Sequence, residues 1–436
     1  MKSSLLGIDI RLMVTKMYNY NKCLQRDIIC VDLKSFFASV TCILNHLDPM
    51  TTKLAVVGDK NRQGSVVLAA SPELKKLGIK TGSRLYEIPQ QRDIYIFDPT
   101  MKVYLDYSAA ISRIALKYVH PEDFHQYSID EFFMDITDSY HLFSTSPFDF
   151  ALMIQNHIYQ ETQINSTIGI GDNNLLAKVS MDIEAKKTNI GITEWRYMDV
   201  PDKLWPIAPL SKFWGISTKS EMKLNRMNVF HMGDLARLDP LILKQHFGII
   251  GVDWHLHAHG IDNSMIRRPH VTHSPGINKS QILLRDYRFN ELYVVLYEHV
   301  DEVTHRLRLS HRLARTIQFS ITTNDNRKYN KQFTVPEGTA NSNQIMKEIW
   351  QRFKQMASQL DLYRTISISL THLIPDTIKQ MTLFSDPGQI SKEEALDKTI
   401  DELKLKYGQL AVIRALSCTK ASTLKLRSGL IAGHKR

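Results

Sequence analysis

The chain has 436 residues, a formal net charge of +10 and 43% apolar residues; that length predicts more than one domain, and that apolar share suffices for sizeable cores. The basic balance fits a polyanionic partner, most simply nucleic acid, without singling one out. Four cysteines with no CxxC pair exclude a disulfide scaffold or a cysteine-built zinc site and set the expectation of a reducing, cytosolic location.

The N-terminus, MKSSLLGIDIRLMV, carries Asp9 and Arg11 inside its only apolar run and does not read as a signal peptide. No apolar stretch approaches membrane-spanning length, so no membrane partner is expected. Residues 1–26 read as a lead. Ile28 to Val31 is a continuous apolar run ending at Asp32, the pattern of a buried strand with a carboxylate at its C-terminal end. A helix is predicted to start at Ser35, a second strand over 65–70, and an amphipathic helix on Tyr104, Ser108, Ile111 and Tyr118. Residues 127–135 predict strand, turn and strand, with Asp130 and Glu131 near the turn. Residues 167–170 predict a strand and 175–183 a helix. Residues 213–238 read as short helices around a Gly215-Ile216-Ser217 turn. The polar, basic stretch 263–278 reads as a linker. Beyond it, a helix stripe over 292–307, a strand at 317–321, a helix at 345–360 and a strand at 366–370 predict an α+β module. After Pro375 the chain reads as a polar tail with one helical patch.

VDLKSFF at 31–37 and YSIDEFFMD at 127–135 carry the informative carboxylates. Two cations a few ångströms apart catalyse nucleotidyl transfer, and magnesium takes few protein ligands, all oxygen. A carboxylate at a strand end beside an adjacent pair on a hairpin can supply them. Spacing alone leaves a second reading equally open, with Asp32 a helix N-cap and Asp130–Glu131 an exposed turn.

VDLKSFFASV at 31–40, SPELKKLGIKTG at 71–82, SIDEFFMD at 128–135 and GIGDNNLLAKVSMD at 169–182, in that order and spacing, resemble the Y-family DNA polymerases, in particular the UmuC-like branch of Gram-positive bacteria and their mobile elements. The resemblance implies an α+β multidomain right hand. Palm is expected over 27–35 and 104–192, fingers over 36–103, a small helical thumb over 193–262, a little finger over 279–374 and a tail over 375–436. It implies two magnesium ions on Asp32, Asp130 and Glu131, with the Leu33 carbonyl as a further ligand.

The resemblance also implies that Phe37 lies under the sugar of the incoming nucleotide and excludes a ribose 2′-hydroxyl, with core packing as the other reading. Amides near Phe36 and Phe37 are expected at the triphosphate. Where the family offers a tyrosine and an arginine from the fingers, this chain has Pro72 and Lys75. Lys75 remains a point charge without the arginine fork, and Ser71 is a candidate to replace the tyrosine contact. From the palm, Lys186 is expected at the phosphates, with Lys187 competing.

DNA contacts are expected from the hairpin at Gly215 and Ser217, and from Arg285, Arg312, Arg315, Arg327, Lys328 and Lys331 of the little finger, where Arg306 and Arg308 add charge. His255, His257 and His259 sit in a helical pattern that turns them apart, so no metal is expected there. Gln380-Met381-Thr382-Leu383-Phe384 resembles the peptide by which bacterial polymerases dock on the sliding clamp, through Gln380, Leu383 and Phe384; a short capping strand is the other reading. The reading as a whole is an error-prone translesion polymerase, cytoplasmic and nucleoid-associated, using primer–template DNA and dNTPs. Three rivals remain: a catalytically idle clamp- and DNA-bound scaffold, against which the three carboxylates argue; another palm enzyme such as a nucleotidyl cyclase, against which the fingers, hairpin thumb and basic C-terminal module argue; and a subunit active only with a UmuD-like accessory protein.

Overall fold

The computed structural model describes residues 18–268, 275–377, 387–431 and 433–435. The chain divides into two compact units after Pro269.

The first unit is built on a five-stranded sheet of β1 (Ile28–Leu33), β5 (Phe124–Gln126), β6 (Glu131–Asp135), β7 (Ser166–Gly171) and β8 (Ile192–Trp195), in the order β5-β6-β1-β7-β8. The central strand β1 runs antiparallel to both neighbours. Its apolar run is fully buried, which is why it reads as continuous rather than alternating. Between β1 and β5 the chain makes α1 (Phe36–Leu44), β2 (Lys53–Val57), β3 (Val67–Ala70), α2 (Pro72–Lys76), β4 (Ile94–Phe97) and α3 (Met101–Ala115). β3, β2 and β4 form a small separate sheet over a core of Ala55, Val57, Val67, Leu74 and Ile79. α4 (Pro147–Thr162) packs on α3 and β7. α5 (Asn174–Ile183), capped by the Asn173 side chain on the Leu176 amide, covers Ile28, Cys30 and Phe133 through Ala177 and Met181. Close approach of α5 to β7 is set by Gly169 and Gly171: a Cβ at Gly169 would lie 2.0 Å from the Ala177 carbonyl oxygen. The short helices α6 (Thr218–Asn225), α7 (Met232–Arg237), α8 (Pro240–Phe247) and α9 (Ile249–Ala258) follow. In the last of them His255 is buried and His259 meets the Ala236 carbonyl. Among the described residues no three His, Cys, Asp or Glu side chains converge as a metal site.

The second unit is a four-stranded antiparallel sheet, β11-β10-β12-β9, from β9 (Ile277–Arg288), β10 (Arg312–Thr323), β11 (Lys328–Thr339) and β12 (Leu362–Pro375). α10 (Phe289–Leu309) and α11 (Ser342–Met356) share its core with Ile317, Phe319, Ile366 and Ile368. β9 and β11, the two edge strands, are additions to the expected module. Each carries few buried residues, and β11 holds Pro336 and Gly338, residues tolerated at an edge. The expected linker is also shorter than 263–278, since β9 starts at Ile277.

Past Pro375 the expected polar tail is replaced by a segment folded on to α10. α12 (Pro387–Tyr407) sets Asp401 against His305 and Arg308. Arg414 then pairs with Asp301, and Arg427 with Glu298 and Glu302. Ala421 and Leu416 add apolar contact with the core of the unit, and the expected helical patch falls within α12. The clamp-like peptide at 380–384 lies outside the described residues.

Candidate functional site

Asp32 faces Glu131 across the β1–β6 ladder and Thr167 across β1–β7, so all three side chains leave the sheet on the face that α5 covers. Asp130 sits in the turn before β6. Its carbonyl accepts the Leu33 N–H at 2.8 Å, and its carboxylate accepts the Ser128 hydroxyl at 2.6 Å.

A cavity of about 390 Å³ opens here. Its wall includes Asp32, Leu33, Ser35, Phe36, Phe37, Ala69, Pro72, Lys75, Thr81, Asp130, Thr167 and Lys186. Palm and finger residues expected from distant parts of the sequence thus meet at one place. Lys186 rather than Lys187 reaches it: Lys186 Nζ lies 3.2 Å from Asp32 Oδ2, whereas Lys187 lines a different recess with Trp195 and Lys203. Lys75 Nζ donates to Ser35 Oγ at 2.8 Å, and burial pulls its pKa down. Ser35 itself adopts a left-handed backbone, φ 50°, at the turn from β1 into α1.

Ser71 is not among the residues of the cavity wall. Its hydroxyl accepts the Leu54 amide at 2.9 Å and caps α2 through the Leu74 amide, and the residue is 1% exposed. The hydroxyl is thus already engaged by two backbone amides. Thr81 stands in the cavity wall instead.

Glu131 behaves differently from its two companions. It is buried, its Oε1 pairs with Lys178 Nζ at 2.7 Å, and it also accepts the Cys30 thiol at 3.2 Å. Lys178 and Lys186 both reach Asp182, at 3.1 and 2.8 Å. Asp32, Lys186, Asp182, Lys178 and Glu131 therefore form an alternating file of charge, of which Lys178 and Asp182 escaped the sequence reading. Burial, together with the charges of Asp130 and Glu131 and against the pull of Lys186, pushes the Asp32 carboxyl up to about 6. The donor set suits a hard divalent cation: the carboxylates of Asp32 and Asp130 share a wall with the buried Thr167 hydroxyl, which has no hydrogen-bond partner.

Gly215 has φ +88° at the tip of the first hairpin, and the Ser217 hydroxyl caps α6 through the Ser220 amide. A second hairpin joins α8 to α9 at Gly248, and a Cβ on Gly251 would lie 2.4 Å from the Leu243 carbonyl oxygen. Its FGIIG stretch was not singled out.

In the second unit the expected cations are less free than expected. Arg285 pairs with Glu291, Arg327 with Asp325 and Asp361, and Arg308 lies under α12. Register places Lys331 opposite Phe319, on the helix-covered side, and Lys328 opposite Thr322, on the open side. Arg312 begins β10, and Arg315 falls at the bulge between Ala314 and Thr316; both are exposed. The open side also carries the uncharged polar residues Gln318, Ser320, Asn330, Gln332, Thr365, Ser367 and Ser369, and the apolar Ile282 opposite Thr365.

Comparison with known proteins gives the same picture. Residues 31–182 match the impB/mucB/samB family, 276–383 its C-terminal domain and 197–229 its helix-hairpin-helix motif. UvrX of Bacillus subtilis (strain 168), which carries the name of a UV-damage repair protein, is 41% identical over 96% of this chain and 100% of its own. DNA polymerase IV 2 of the same organism is 34% identical over 94% and 99%, and DNA polymerase IV of Pelotomaculum thermopropionicum is 31% identical over 92% and 98%. A Y-family DNA polymerase chimera of Dbh and Dpo4 shares the fold, with a TM-score of 0.63 at 19% identity, over 80% of this chain and 99% of that one. The chain belongs to the impB/mucB/samB family, the Y-family of lesion-bypass DNA polymerases.

Proposed function

We propose that this chain adds dNTPs to a primer 3′ end opposite damaged template bases, with Asp32, Asp130 and Glu131 as its metal-binding carboxylates. The observation that carries the reading is the single cavity walled by Asp32, Asp130, Phe37, Lys75 and Lys186. Y-family polymerases are nucleotidyltransferases that generally require a divalent metal. A pair of magnesium ions would supply a more acidic 3′-hydroxyl and charge neutralisation on the leaving pyrophosphate. Asp32 and Asp130 offer the oxygens for them, and Glu131 joins once Lys178 yields it. Lys75 and Lys186 present ammonium groups to the triphosphate, in place of an arginine fork. The Phe37 ring fills the space that a 2′-hydroxyl needs.

The little finger is proposed to hold DNA on the open side of its sheet, and the hairpins at Gly215 and Gly248 to direct amides at phosphates. The sliding clamp is the proposed partner of Gln380, Leu383 and Phe384, and a UmuD-like protein a further one. No helix among the described residues is long and apolar enough to cross a membrane; action on the cytoplasmic nucleoid is part of the proposal. The test is primer extension by the purified chain on undamaged and lesion-bearing templates, with and without clamp. Absence of magnesium-dependent extension under all four conditions would favour an idle scaffold or a subunit that needs an accessory protein.

A further inference from the structure

We propose that Asp182 is a positioning residue that keeps Lys186 aimed at the nucleotide and gives the buried Lys178 a second partner beside Glu131; the inference rests on the reading of the site given above. Lys178 and Asp182 are neighbours at four-residue spacing on α5, and Lys186 follows four residues on, in the tighter turn after it. The two oxygens of Asp182 are divided between the two lysines: Oδ1 takes Lys186 at 2.8 Å and Oδ2 takes Lys178 at 3.1 Å. Each ammonium also touches one site carboxylate, Lys186 at Asp32 (3.2 Å) and Lys178 at Glu131 (2.7 Å).

A cation arriving at Asp32 and Glu131 must displace both ammonium groups. In a half-buried site a displaced ammonium without a partner is costly. Asp182 removes that cost, because each lysine already has its second partner in place. The two lysines then have different fates. The Lys178 side chain is 8% exposed and stands outside the cavity wall, so it remains a buried counter-ion. Lys186 is on the wall, and its tether to Asp182 keeps its charge aimed into the cavity. Without Asp182 the only acidic partner left to Lys186 among the described residues is Asp32, and ammonium and cation compete for the same oxygen.

A double-mutant cycle on the full chain tests this. The readouts are equilibrium dNTP affinity of the enzyme on a chain-terminated primer–template, and binding of manganese alone followed by the paramagnetic resonance of the free ion. Asp182→Asn is expected to weaken dNTP binding about tenfold and also to weaken manganese binding. In a Lys186→Ala background the same change is expected to cost less than about twofold in dNTP affinity, because the residue it acts through is gone. A tenfold loss in both backgrounds would overturn the proposal, since Asp182 would then act as bulk charge. Unchanged dNTP affinity in Lys186→Ala alone would overturn the underlying assignment of Lys186 and this inference with it. Should Asp182→Asn lower the melting temperature by more than about 5 °C, the cycle is run in a Lys178→Met background. There the buried ammonium that needs Asp182 is absent, and the same outcomes decide.

Discussion

The rings of Phe37 and Tyr104 lie face to face, with centroids 4.4 Å apart and planes 12° from parallel. Tyr104 is fully buried, and its hydroxyl meets Thr41 Oγ1 at 2.8 Å. The ring of Phe37, a residue of the cavity wall, therefore rests on a support fixed at its far end. Phe36 beside it is 2% exposed, and Phe37 also packs against the core of Ala38, Cys42, Leu54 and Val56.

Phe37→Ala is expected to lower the preference for dNTPs over rNTPs by at least about tenfold, roughly 1.4 kcal/mol, with dNTP incorporation retained. The measurement is the ratio of kcat/KM values for a matched dNTP and rNTP. An unchanged ratio in an active enzyme would return Phe37 to the core.

Asp130→Ala is expected to reduce magnesium-dependent incorporation by at least about 100-fold while DNA affinity stays near wild type. Asp130 is a turn residue on the cavity wall, so its loss opens no core. Single-turnover incorporation and DNA binding by anisotropy separate the two effects. Incorporation within about tenfold of wild type would remove Asp130 from the metal-binding set.

Asp401 gives a pH-dependent prediction for the second unit. Burial pushes its carboxyl up, but hydrogen bonds from Arg308 and His305 more than reverse this and hold it at about 2, below the ordinary 3.8. A depressed folded-state pKa means stabilisation that is complete above about pH 4 and lost as pH falls through about 2. Asp401→Asn should cost about 2–3 kcal/mol at neutral pH, read by urea unfolding. The gap between wild type and variant should close near pH 2. A gap that persists there would mean that the variant disrupts packing, not charge.

Replacing Leu383 and Phe384 with alanine is expected to abolish stimulation by the sliding clamp, with incorporation in the absence of clamp as the control. A Leu-Phe anchor seated in a partner pocket costs about 2 kcal/mol or more on truncation, at least about 30-fold in affinity. Wild-type clamp affinity in the double variant would rule the peptide out.

Asp32 was legible because a strand buried on both faces must be apolar until it reaches the site, so the first carboxylate after the run stands out. Asp130 and Glu131 were legible as an acidic pair inside an apolar hairpin, but their different orientations were not. Glu131 is claimed by Lys178, 47 residues away in sequence, and no local pattern encodes that pairing. Lys186 and Lys187 were inseparable because α5 ends at Ile183 and a tighter turn over Ala185–Lys187 resets the helical phase. The cap at Ser71 was not legible because a serine before Pro72 looks the same in sequence whether it caps a helix or greets a phosphate. Tyr104 was read as a core face, which it is, and only the fold reveals what leans on it. Residues 408–431 were missed because ion pairs with α10 carry no periodicity.

The open side of the little-finger sheet has a consequence for tolerance of ionic strength. Lysine and arginine grip DNA by expelling condensed counterions, and that gain fades as salt rises. Hydroxyls and amides such as Ser367, Ser369, Gln332 and Asn330 expel none. Ser367→Ala with Ser369→Ala should weaken DNA binding equally at low and high salt, whereas Lys328→Ala should flatten the salt slope by about one. On the proposed reading, such a grip would lose less affinity with rising salt than one built from lysine and arginine alone.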